Sequence, residues 1–302
     1  MDVLDGMRTF VASVEAGSFT AAAQRLGISK KLVSKYMAQL EGRLGVRLLH
    51  RTTRSLSLSD DGRKYYARCK ELIEAFEEME SSIGSRTGSL RGNLRLAAPS
   101  TFGEMYLQPM LQDFGRTHGQ LTMELILGDR HVDLAGEGVD MALRIGNLAD
   151  SGMRARKLGQ TELWAIASPE YLADNPAPMT PGELKKHHCI RDTNMVSPNA
   201  WPFTCAGQLK KIPVNGRYMV NSARAVRDMV LGHEGIGLCP DYVVAEDVAR
   251  GRLQRVLARN PSLSLDINAV FLDARYMPAK VRTLLDFLIE RFNRARGWEN
   301  LA

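Results

Sequence analysis

No stretch of this chain approaches the ~18 consecutive apolar residues of a membrane span. The N-terminus also lacks the charged-then-apolar order of an export signal, because Asp2, Asp5, Arg8 and Glu15 interrupt it. A membrane protein and an exported solute-binding module are therefore disfavoured, and a cytoplasmic location with no membrane partner is expected. Cysteine is scarce. Cys69, Cys189, Cys205 and Cys239 make no C-x-x-C pair and have no metal-ligand spacing. They read as reduced core residues, and neither a metal nor a cofactor is expected. Cys189 and Cys205 are a conceivable redox pair, but nothing beside them favours a thiolate. His187-His188 has no third ligand nearby and reads as a helix end. Paired carboxylates, a Ser-His-Asp grouping and a P-loop at useful spacing are missing too, so nothing points to an enzyme.

What is present begins at Gly17. At 302 residues, with 44% apolar and 25% charged content, the chain suits about two globular domains. Phe19, Ala22, Ala23 and Leu26 recur at helical spacing, with Ser18 or Thr20 placed to cap that helix. Gly27 marks the break, and Ser29 can cap a second helix running to about Leu44. On that second helix Leu32, Val33, Tyr36, Met37, Leu40 and Leu44 form one stripe, and Lys30, Lys31, Ser34 and Lys35 form another. A recognition helix needs this split, with one face held by a core and one free for a major groove. Residues 47–51 and Leu56-Ser57-Leu58 can then pair as two strands of a wing, placing Arg51, Thr53 and Arg54 at phosphates or a minor groove. From Leu26 to Leu58 seven basic residues oppose one acid, Glu41, giving +6, which equals the net charge of the whole chain. The cations are concentrated where double-stranded DNA requires them.

Phe10-Val-x-x-Val-Glu15-x-Gly17-Ser-Phe-Thr-x-Ala22-Ala-x-x-Leu26, then Val33-Ser34, Leu40-Glu41-x-x-Leu44-Gly45-x-x-Leu48 and Arg51-x-x-Arg54 resemble the pattern of LysR-type transcriptional regulators. The resemblance implies a winged helix-turn-helix at 1–59 and a regulator working on promoter DNA. One departure stands out. Many members carry Gln, often with Pro or Ser, where this chain has Lys30-Lys31. Lysine lacks the bidentate amide that reads adenine, so a typical operator preference does not transfer.

Ser59 or Asp60 can cap the next helix, which is expected to run to Ile83. Tyr65, Cys69, Leu72, Phe76, Met79 and Ile83 are spaced 4-3-4-3-4, a heptad seam, and Glu71, Glu74, Glu77, Glu78 and Glu80 occupy other faces. Packing on its own domain is the simple alternative, but three heptads with an acidic exterior favour a helix–helix dimer. The resemblance implies the same for 60–91, a linker helix and hinge, with a homodimer and a homotetramer built from it.

The remaining residues alternate strands and helices, an α/β pattern. Strands are expected at 93–98, 121–127, 139–145, 163–167, 212–220, 237–239 and 265–272, and helices at 102–117, 132–135 and 278–296. Residues 128–146 and 232–240 resemble the LysR effector domain, of the type II periplasmic-binding-protein kind. The resemblance implies an effector-binding domain at 92–302, with lobe I at 92–165 plus 268–302 and lobe II at 166–267. Ligands of open α/β sheets bind beyond strand C-termini. Ser100 or Thr101 would cap the helix after the first strand, and Ser222, beside Asn221, another. Their free amides, with Arg144, suit an anionic effector, most simply a carboxylate. The resemblance supports Ser100, Thr101, Asn221 and Ser222 as pocket positions. Phe102 ends the same strand-end segment, and the resemblance places Arg144 and the region around Trp201 and Phe203 on the walls. The alternatives are plain: helix caps for the hydroxyls, a surface ion pair for Arg144, and core packing for the aromatics.

Overall fold

Three serines start the helices that matter first. The computed structural model describes residues 2–51, 56–84, 90–130, 132–146, 153–272, 277–295, 298 and 301, with backbone alone at 51, 71, 74, 75 and 77–84. Helix α1 is Val3–Glu15, α2 Phe19–Leu26 and α3 Lys30–Leu44. Ser18 accepts from the Ala21 amide at 3.1 Å and Ser29 from Leu32 at 3.2 Å, satisfying donors that a helix start leaves open. Thr20 lies inside α2 and is not the cap. Gly27 ends α2 with φ +65°, a left-handed value that lets the Ile28 amide reach back to the Ala23 carbonyl at 3.0 Å.

Strands β1 (Leu49–Arg51) and β2 (Leu56–Leu58) pair antiparallel as the wing. Its tip, with Thr53 and Arg54, lies outside the described residues. Helix α4 spans Asp60–Gly84. Ser59 is its anchor: its hydroxyl accepts from the Gly62 amide at 2.9 Å and donates to the Arg47 carbonyl at 2.6 Å. Gly62 lies so close to the wing that a Cβ there would stand 2.0 Å from the Leu48 carbonyl oxygen. Gly62→Ala is accordingly expected to destabilise this unit by about 3 kcal/mol or more, since backbone rather than a flexible side chain must yield. Amide exchange should rise through α1–α3 and the wing and stay unchanged in the regulatory strands. Unchanged exchange in α1–α3 would refute the close contact.

The core of this unit holds Phe10, Met37, Leu40, Leu48, Leu49 and Cys69, with Tyr65, Tyr66 and Ile73 packed against it. This corrects the heptad seam. Tyr65 and Cys69 face inward, because Ser59 and Gly62 clamp the start of α4 onto its own domain. Burial raises the Cys69 thiol to about 11. The outward stripe begins at Leu72, which is 54% exposed. Phe76 follows it, and the side chains of Met79 and Ile83 lie outside the described residues.

The chain divides into two compact units, the second built on Arg91–Leu134, Val139–Asp273 and Val281–Ala302. Its elements are β3 (Gly92–Ala98), α5 (Ser100–Phe102) running through a π turn (Gly103–Leu107) into α6 (Gln108–Thr117), β4 (Leu121–Leu127), α7 (Leu134–Glu137), β5 (Met141–Ile145) and β6 (Met153–Ala167). There follow α8 (Pro169–Asp174), β7 (Cys189–Asp192), β8 (Ala200–Cys205), β9 (Gln208–Pro213), β10 (Met219–Val220), α9 (Ala223–Leu231), β11 (Ile236–Pro240), α10 (Asp241–Ala249), β12 (Gln254–Arg255), β13 (Ser264–Leu272) and α11 (Ala279–Arg294). The order β10-β7-β11-β6-β13-β5-β3-β4 joins two lobes, with β12 on β6.

Parallel pairing holds within each lobe, β3 with β4 and β5, and β7 with β10 and β11, while β6 and β13 cross between lobes antiparallel. The strand expected at 163–167 is thus the end of a much longer one. The expected lobe boundary at 166 falls inside β6, whose Leu163 and Ala165 already pack in the second lobe's core. The strand expected at 212–220 is broken into β9 and β10 around Pro213 and Gly216. A Cβ at Gly216 would meet the Cys189 carbonyl oxygen at 1.9 Å.

Candidate nucleic-acid interface and effector cleft

On α3 the two faces separate cleanly. Val33, Met37 and Leu40 are fully buried. Lys30, Lys31 and Lys35 are exposed, Ser34 is half-buried, and none of the three lysines has an ion-pair partner among the described residues. Leu44, expected in the apolar stripe, is instead exposed, since Gly45 ends the helix there. The one acid of the basic segment is structural: Glu41 Oε1 accepts from the Leu48 amide at 2.8 Å and the Leu49 amide at 3.2 Å, fixing the wing to α3. Arg25 of α2 is engaged by Glu15 at 2.7 Å. The arrangement offers a row of free ammonium groups on a rigid helix, with Ser18 and Thr20 exposed at the start of α2.

In the second unit the strand ends of the two lobes meet. Phe102 packs edge-on against Tyr242 at 5.3 Å, and the Tyr106 hydroxyl donates to the Tyr242 carbonyl at 3.0 Å. Ser222 caps α9, accepting from the Ala225 amide at 3.3 Å, and the Asn221 carbonyl accepts from Asn194 Nδ2 at 2.7 Å. The other helix start differs from expectation. Pro99 holds the cap position with no side-chain cap, so neither Ser100 nor Thr101 caps it, and the Ser100 amide donates to Asp129 Oδ1 at 3.3 Å. Phe102 is fully buried, stacked on Tyr106. Arg144 Nη2 donates to the Val132 carbonyl at 3.0 Å.

Trp201 and Phe203 correct the wall assignment. They are 0% and 1% exposed, in a core with Leu163, Tyr171 and Leu184 under the β8–β9 hairpin. Sequence reasoning missed Asp129, Asp192 and Tyr242. Asp192 is buried and accepts from the Asn194 amide at 2.9 Å. Its carboxyl is held above the usual range by burial and further by repulsion from Asp129. The strand-end rule applied to β4 and β7 finds both acids, but β7 is only four residues long and follows two histidines. Beside the cleft lies a groove of about 570 Å³ shared by Tyr106, Tyr242 and Trp298, whose cations are engaged, Arg227 by Asp247 and Arg224 by Glu104.

Two family models match this chain: bacterial regulatory helix-turn-helix protein, lysR family, over residues 4–63, and LysR substrate binding domain over 87–293. The chain belongs to the LysR family. An HTH-type transcriptional regulator of Xanthomonas campestris pv. campestris is 38% identical over 288 residues, 94% of this chain and 84% of that protein. The regulator PtxR of Pseudomonas aeruginosa is 34% identical, covering 96% and 93%. Among solved structures, CrgA, a LysR-type transcriptional regulator from Neisseria meningitidis, has a TM-score of 0.64 at 32% identity, covering 96% and 99%. The full-length Vibrio cholerae virulence activator AphB has a TM-score of 0.61 at 29% identity, covering 95% and 98%. This LysR-type chain is a DNA-binding transcriptional regulator with a substrate-binding domain, not an enzyme, and the family works on promoter DNA as oligomers that take small-molecule effectors. No helix of the described residues is long and apolar enough to cross a membrane.

Proposed function

We propose that this regulator binds a partly palindromic promoter site as an oligomer and is switched by a small molecule between its lobes. Residues 1–59 act on DNA, 60–91 pair two copies and 92–302 take the effector. The observation that carries the reading is the row of exposed Lys30, Lys31 and Lys35, without ion-pair partners among the described residues, opposite a fully buried face. Ser34 completes that row, and Ser18, Thr20, Arg51, Thr53 and Arg54 serve the flanking phosphates. Pairing uses the outer stripe of α4, Leu72 and Phe76 followed in sequence by Met79 and Ile83, and two such dimers form a tetramer. The effector pocket includes Ser100, Thr101, Asn221 and Ser222. The expected carboxylate loses two of its supports, since the Ser100 amide is bonded to Asp129 and Arg144 to a carbonyl.

Footprinting tests the pairing. The wild-type protein should protect two half-sites with centres about one helical turn, ~34 Å, apart or a whole multiple of it. Leu72→Glu, at an exposed position, should leave the fold intact and reduce protection to one weakly held half-site. Undiminished double protection by that variant would place the dimer elsewhere.

A further inference from the structure

The groove beside the cleft is built from both lobes. Lobe I supplies Met105 and Tyr106 from the π turn and Trp298 beyond α11, and lobe II supplies the start of α9 and one face of α10. Pro109 accounts for the turn. It has no amide to return to the Met105 carbonyl, and the ladder before it widens, so that the Gln108 amide reaches the Gly103 carbonyl five residues back. Single π turns inside α-helices recur at functional sites. Tyr106 and Tyr242 make the floor of the groove, 7% and 5% exposed, with ring centroids 5.9 Å apart. Trp298 is half-buried and stands 5.5 Å from each, its ring tilted 58° to one and 61° to the other. Val243, Ala245 and Ala249 add aliphatic surface. The charges on the rim are matched. Arg227 is held by Asp228 at 2.8 Å and by Asp247. Asp247 also holds Arg252 at 2.5 Å, and Glu246 holds Arg250 at 2.5 Å. Arg224 meets Glu104 across the lobes at 3.7 Å. Four arginines and four acids thus balance around the groove among the described residues.

We propose that this groove is a second ligand site, separate from the cleft at the strand ends, and that it takes a flat, uncharged aromatic molecule of one or two rings. Its volume of about 570 Å³ lies in the range of small-molecule sites, and three aromatic rings from both lobes converge on it. Rings at these separations add edge and face contacts to the apolar area they bury. An ion finds no net field there and gains a counterion only by parting an existing pair. The exposed Arg224–Glu104 pair is the weakest of them, so Arg224 is where a carboxylate would compete. Because both lobes line the groove, an occupant favours the lobe arrangement that forms it, and so acts on the regulator independently of the cleft.

Isothermal titration of the full chain with indole and 2-naphthol, against indole-3-acetate, tryptamine and 2-naphthoate, tests this. At least one of the uncharged pair should bind, and its charged twins should bind about ten-fold more weakly or not at all. Ala249→Phe, at an exposed position, fills the groove without removing a core contact and should weaken that binding by about ten-fold or more. Trp298→Ala should do the same, with both variants keeping their own melting transition. The proposal is overturned if neither uncharged probe binds at millimolar concentration, or if binding survives both substitutions. Binding that persists in both but is lost in Ser222→Ala would put the probe in the cleft instead. A carboxylate that binds more tightly than its uncharged twin, and loses that advantage in Arg224→Gln, would keep the groove as a site but overturn the class of molecule assigned to it.

Discussion

Replacing Lys30, Lys31 and Lys35 together with alanine is expected to weaken operator binding by about a hundred-fold or more at physiological salt. The three ammonium groups lie exposed on α3 with no partners among the described residues, so their charge is available to DNA. A side chain on a base edge contributes about 1–3 kcal/mol of discrimination, and each phosphate contact about one unit of salt slope. The variant therefore separates the two roles. Lysines on phosphates would lower affinity for all sequences alike and flatten log K against log salt by nearly one unit apiece. Lysines on base edges would relax sequence preference at defined positions, most directly at guanine, whose O6 and N7 accept from lysine. Stability should stay the same, because Val33, Met37 and Leu40 hold the helix from its other face. Unchanged binding by a folded triple variant would remove α3 from the recognition role. Gel shifts across a salt series, with circular dichroism as the fold control, give both readouts.

The N-terminal unit was legible because its rules are local. Serine caps, a left-handed glycine and a four-residue apolar repeat each act within one or two turns, and α2, α3 and the start of α4 follow them closely. The heptad in α4 shows where such rules end. Tyr65, Cys69 and Leu72 share one spacing, yet the first two bury in the domain and the third faces out. Periodicity identifies an apolar stripe but not its partner, and the partner was decided by the clamp of Ser59 and Gly62 on the wing. In the regulatory unit the cap at Ser222 was legible, while the cap expected at Ser100 or Thr101 was not, because Pro99 holds that position. The two lobes are joined by β6 and β13, whose antiparallel pairing is a long-range feature that no local pattern reveals. Arg144 had the right position for an anion clamp, and a single carbonyl, that of Val132, engages it.

Trp201→Ala is expected to cost the regulatory unit about 3–5 kcal/mol, as large-to-small substitutions of buried tryptophan do. Trp201 is fully buried with Phe203, and the two sit on the inner face of a hairpin whose other strand, β9, is largely exposed. The hairpin is also tied to the lobe by the Ser262 hydroxyl, which donates to the Pro202 carbonyl at 2.6 Å, and by the Thr204 amide, which donates to the Pro261 carbonyl at 2.8 Å. The sequence carried both readings, a ligand wall and, as the plain alternative, core packing. The two readings diverge sharply on mutation. A wall residue would leave the melting temperature alone and change effector response. A core residue lowers the denaturation midpoint and alters effector response only through folding. Trp201→Phe sharpens the contrast. The indole Nε1 is buried with no hydrogen-bond partner among the described residues, so phenylalanine removes an unsatisfied donor while keeping most of the ring volume. Its cost should therefore fall well below that of alanine. Urea unfolding of the three proteins measures both steps. Equal stability of Trp201→Ala and the wild type would return Trp201 to the cleft wall. A Trp201→Phe loss as large as that of alanine would mean that the indole N–H is bonded, most simply to an internal water.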